Sequence, residues 1–81
     1  MKHKSCHWDP QRKKIIIDGR EHVPHHQNTH PDVIINAHLE GDNTVVVTVK
    51  QYATSTQASH KVVFKNVGTN STLTGGTMVR L

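Results

Sequence analysis

The amino-acid sequence predicts an all-β domain, a small sandwich or partly open barrel of about six short antiparallel strands preceded by an extended basic arm. Three observations predict it. The apolar residues are mostly β-branched: ten Val and five Ile stand against three Leu and three Ala, and nine Thr add to them. Such side chains are stiff at χ1 and suit a pleated surface better than a helix. Apolar residues also recur with period two over residues 33–39 and 45–49, the repeat of a strand with one buried face. Finally, Asp18-Gly19, Gly41-Asp42-Asn43 and Gly75-Gly76 cut the chain into short runs, as hairpins require. At 81 residues the core is thin, because a chain of this size buries only about 60% of its unfolded surface.

Residues 1–13 lack an apolar period, and Trp8 is their only large apolar group. They read as an arm, with residues 14–81 as a single β domain. Six of the ten basic residues lie in the first twenty positions against two acids, so the net charge of +4 resides there. Lys2, Lys4, Arg12, Lys13 and Lys14, with Trp8 as an anchor, are the candidate partner-binding residues. A first hairpin follows, residues 14–17 and 20–23 about the turn Asp18-Gly19, and Pro24 ends it because proline cannot donate to a ladder.

The run "DVIINAHLEGDNTVVVTVKQY" carries the clearest alternation. Val33, Ile35, Ala37 and Leu39 share one parity; Val45, Val47 and Val49 share another, with Val46 on the opposite face. Opposed residues of an antiparallel pair point to one face, so Leu39 meets Val45 only across an odd-numbered loop. A loop of Gly41-Asp42-Asn43 or of Glu40 through Thr44 satisfies this; the three-residue form is favoured, with Asn43 in the left-handed conformation. Residues 53–59 are a polar connection. Residues 60–67 are a strand with Val62 and Phe64 inward, residues 68–76 a Gly/Ser/Thr loop, and residues 77–81 a strand with Val79 and Leu81 inward.

The stretch "HVPHHQNTH" concentrates imidazoles. His22, His25, His26 and His30 are the candidate metal ligands, with Cys6 and His7 behind them. The spacing matches no paired zinc-ligand pattern, so a polar surface loop without a structural metal is expected. Eight histidines also raise pH sensing, which needs a buried or paired ring. Catalysis finds little support: the six acids are scattered, Cys6 is the sole thiol, and no glycine-rich phosphate loop joins a strand to a helix. No cofactor motif is legible. Asn70-Ser71-Thr72 matches a glycosylation acceptor by chance in a Ser/Thr-rich loop.

No stretch approaches the roughly 20 apolar residues of a membrane span, and the N-terminus has no apolar signal core. Synthesis and use in a cytoplasm are expected. Small size, Val/Thr-rich strands, polar loops and a basic arm able to drape over a neighbour point to a non-enzymatic structural subunit of a larger assembly, a homo-oligomer or capsid shell. Within that class a virion protein is the specific expectation: a phage capsid decoration, cement or head–tail accessory protein, ending in the virion. The alternative is a small β-barrel that binds nucleic acid through its basic segment, since such an arm neutralises phosphates without reading sequence. Against it, Trp8, Tyr52 and Phe64 are the only aromatics available for stacking on bases. A third reading is an oligomer held by metal at the histidine loop.

Overall fold

The computed structural model describes residues 2–81. The chain is all-β. Its strands are β1 (Cys6–Asp9), β2 (Lys14–Ile17), β3 (Arg20–Pro24), β4 (Ile34–Leu39), β5 (Val45–Lys50), β6 (Ala58–Phe64), β7 (Thr72–Leu73) and β8 (Thr77–Arg80). A single 3-10 turn, Pro31–Val33, is the only helical segment among the described residues. The strands form two four-stranded sheets, ordered β1-β2-β3-β7 and β4-β5-β6-β8, without barrel closure. Pairing is antiparallel except between β3 and β7, which run parallel.

The first hairpin forms as its sequence dictates. Ile17 faces Arg20 across a two-residue turn, with Asp18 at φ 53° and Gly19 at φ 79°. Two successive positive φ values match the right-handed twist of the flanking strands. The second hairpin sets Leu39 opposite Val45, and the Glu40 N–H donates to the Thr44 carbonyl at 2.9 Å. The odd loop count therefore holds. Gly41, at φ 90°, takes the left-handed position expected of Asn43, because glycine adopts it without steric cost.

The core lies between the sheets: Ile15 and Ile17 from β2, Val45, Val47 and Val49 from β5, and Val62 and Phe64 from β6. Four departures from the expected pattern have clear causes. In β4 a bulge between Ile34 and Asn36 shifts the register. Ile34 is consequently buried beside Ala37, while Ile35 is 42% exposed. An extra residue inverts side-chain parity along a strand. Val46 lies on the outer face, yet it is buried; β5 is an interior strand, and His38 and Val63 flank Val46 on either side. Ile16 repeats this in β2, between His7 and Glu21.

The third departure is β8. Val79 pairs with Lys61 and Met78 with Val62, so Val79 shares the outer face with Lys61, opposite to expectation. Val79 is 43% exposed and Leu81 63%. The fourth is the N-terminal segment. Cys6–Asp9 pairs with β2 along its whole length, and Cys6 and Trp8 pack against the core. β1 also packs against β4. Residues 6–9, within the segment expected to stand apart as an arm, are thus a paired strand of the sheet. The polar loop after β6 contributes as well: Val67 and Leu73 join the core, and the Val67 N–H donates to the Asn43 carbonyl at 2.8 Å.

Candidate functional site

The basic residues do not converge. Lys2 and Lys4 precede β1 near the Asp18 turn, whereas Arg12, Lys13 and Lys14 lie beyond its other end, where Asp9 pairs with Lys14. At that end Asp9 organises a tight turn. Its carboxylate accepts the Gln11 and Arg12 N–H groups at 3.0 Å each, and its carbonyl accepts that of Lys13 at 2.8 Å. The Arg12 amide bond is the main cause of the lowered Asp9 pKa. Two of the cations are matched by acids: Arg12 lies 3.5 Å from Glu21, and Lys13 lies 3.2 Å from Asp32. Trp8, proposed as a partner anchor, is half-buried on the core side opposite Ile15.

The four loop histidines disperse. His22 belongs to β3, is buried, and has Nδ1 2.8 Å from the Asn70 carbonyl. His26 accepts the Asn28 N–H at 3.0 Å through Nδ1. His30 caps the 3-10 turn by accepting the Asp32 N–H at 3.1 Å. His25 is exposed, and its backbone N–H donates to the Leu73 carbonyl. Among the described residues no three His, Cys, Asp or Glu side chains come together as metal ligands. The Nδ1 atoms of His26 and His30 are directed to local backbone, and that of His22 to the backbone of the distant 68–76 loop.

The histidine with the richest environment is His3, which sequence reasoning passed over. Its ring is buried, with Nδ1 2.8 Å from Asp18 Oδ2 and Nε2 2.7 Å from the Val67 carbonyl. Both partners are acceptors, so a doubly protonated ring satisfies both bonds. Its backbone N–H donates to the Asp42 carbonyl at 2.8 Å. One residue thereby ties together the β2–β3 turn, the β4–β5 loop and the chain after β6. Asp18 completes the knot by accepting the N–H groups of Lys4 at 2.7 Å and Ser5 at 3.2 Å. The Lys4 amide first, then the His3 ring, hold the Asp18 carboxyl down to about 2. The only sequence signal was a histidine three residues from a cysteine in a charged segment, which does not announce burial.

Cys6 is half-buried on the core side of β1. Burial, then the Asp18 charge, pushes its thiol up to about 11, which keeps it in the weakly nucleophilic protonated form. A depression of about 690 Å³ is lined by the single segment 65–74 and is open to solvent. Its lining brings no acid, histidine or thiol together.

The remaining surface feature is the outer edge of β8. β8 closes the strand order of its sheet, so one side of its backbone is without a strand partner. Met78, Val79 and Leu81 are all substantially exposed along it. Other edges are better guarded. β7 is two residues long, and β4 is bulged with β1 packed against it. β8 has neither Pro nor Lys, and no register shift interrupts its pairing. β8 is only four residues long, but edges of this kind are ordinarily blunted, because their free N–H and C=O groups template further pairing.

Among the described residues no helix is long and apolar enough to cross a membrane. Comparison with protein-family models, with curated proteins and with solved structures finds no match to the chain.

Proposed function

We propose that this chain is a non-enzymatic structural subunit that works by docking onto neighbouring protein subunits, beginning with copies of itself. The observation that carries this reading is the unguarded β8 edge with its exposed Met78, Val79 and Leu81. Unpaired backbone and half-exposed apolar side chains on one strand are the features strand addition uses: main-chain hydrogen bonds supply affinity and alternate side chains supply specificity. A thin core points the same way, since small domains gain stability from a partner subunit.

The more specific form of the reading is a virion protein, such as a phage capsid decoration, cement or head–tail accessory, made in the host cytoplasm and carried in the particle. Its support is the compact two-sheet body and the absence of helix beyond one 3-10 turn among the described residues. Nucleic-acid binding is the weaker alternative. The basic residues are split between the two ends of β1, and Arg12 and Lys13 already face acids.

Native mass spectrometry and light scattering of the full chain test the proposal. Assemblies at multiples of 9.1 kDa that grow with concentration are the expected result. A chain that stays at 9.1 kDa throughout refutes it.

A further inference from the structure

We infer that the occupant of the β8 edge is the β8 edge of a second copy, paired antiparallel about a two-fold axis through Val79. This rests on the assembly reading and specifies its interface. The hydrogen-bonding phase of β8 determines the register. The Leu81 N–H donates inward to the Ser59 carbonyl at 3.1 Å. His60 and Arg80 are therefore a non-hydrogen-bonded pair of the β6–β8 ladder, and by alternation so are Val62 and Met78. The N–H and C=O groups of Met78 and Arg80 accordingly point away from β6, toward the free edge.

A two-fold pairing must match these outward groups with each other. Centring on Val79 sets Met78 of each copy opposite Arg80 of the other, and all the outward groups find partners. Val79 then meets its own symmetry mate in a non-hydrogen-bonded pair, where Cα atoms approach to about 4.5 Å. On the same outer face Leu81 lies opposite Thr77 of the other copy. Arg80 is the only charge within β8, and this register keeps the two arginines apart, each facing a methionine. Centring on Arg80 brings like charges together, and centring on Met78 sends Arg80 opposite Gly76, outside the strand. Self-pairing thus has one register that satisfies both hydrogen bonding and charge. The product is an eight-stranded sheet continuous across two copies, with the valines and leucines at its seam.

Three variants and one concentration series test the inference. The native chain should sediment as a dimer at high concentration, and Val79→Lys should remain a cooperatively melting monomer, because it sets two ammonium groups face to face. In a Cys6→Ala background, Val79→Cys should form an intermolecular disulfide with oxidised glutathione, since opposed Cα atoms at that spacing lie within the disulfide range of about 4.4–6.8 Å. Thr77→Cys, which faces Leu81 rather than itself, should not. If Val79→Lys assembles as the native chain does, or Thr77→Cys crosslinks as readily as Val79→Cys, the β8 register is overturned while the assembly reading stands. A native chain that is monomeric up to about 1 mM, the weak end of specific association, overturns both.

Discussion

The sheet β4-β5-β6-β8 ends in two unlike edges, and the contrast shows how this small fold separates stability from interaction. At the β4 edge the backbone is bulged, β1 packs alongside, and His3 fastens the adjoining loops through Asp18, Asp42 and Val67. At the β8 edge no further strand pairs among the described residues; the Asn28 side-chain amide reaches Met78 Sδ at 2.9 Å, and Val79 and Leu81 are exposed. Both edges lie within two strands of β5, whose Val45, Val46, Val47 and Val49 are all buried. Valine therefore serves the core in one strand and the surface in another. Position in the strand order separates the two roles.

The largest expected effect comes from the shared middle. Val47→Asp places an unpaired carboxylate at a fully buried site, a change that costs more than about 4 kcal/mol. Chemical denaturation should find the variant largely unfolded. Val79→Asp should leave the monomer's midpoint close to native, and equal losses at the two sites would erase the contrast between core and edge valines.

His3→Ala attacks the guarded edge. It removes two side-chain hydrogen bonds at a buried position and orphans the Val67 carbonyl, which should cost about 2–3 kcal/mol. Faster amide exchange in β1 and residues 41–43, with β6 and β8 still protected, is the expected pattern. Uniform exchange across the molecule would mean that the knot supports the whole fold. By the same logic, deleting residues 1–13 should abolish cooperative melting, since Cys6 and Trp8 leave the core with β1.

Gly76 controls entry to the open edge. A Cβ there would come within 2.7 Å of both Phe64 and Val62, side chains that are themselves fully buried. Overpacking of this kind costs about 1–3 kcal/mol, so Gly76→Ala should lower the melting midpoint and loosen β8. A native-like midpoint would show that the Phe64 ring has room to retreat.

A smaller effect distinguishes the edges by pH. The Asp18 carboxyl is held down to about 2 by the Lys4 amide and the His3 ring. The unfolded chain, with an ordinary carboxyl near about 3.9, takes up a proton first on acidification. Asp18 therefore contributes fully above that value, and its contribution is lost as pH falls toward 2. Asp18→Asn suits the left-handed φ of 53° and should flatten this acid limb in thermal melts. An unchanged limb would remove Asp18 from the knot. The smallest effect is expected at the bare edge, where Val79→Thr should shift the monomer's stability by no more than about 0.5 kcal/mol, as surface changes do.

By itself, the sequence determined six of the eight strands, the Asp18-Gly19 hairpin, the Leu39–Val45 register, and the inward set of Val45, Val47, Val62 and Phe64. These depend on local conformational preference and period-two patterning, which act over a few residues. Tertiary structure decided what local pattern cannot encode. One inserted residue at Ile35 reversed the parity at the start of β4, and interior placement buried Val46 and Ile16 on outer faces. Leu73, a single leucine in a polar loop, gained a core position through a parallel pairing with β3, a contact between distant segments. The dispersal of the histidines and the burial of His3 have the same origin. A side chain's role follows from which acceptors distant chain segments bring to it, and those partners lie 15 and 64 residues away from His3.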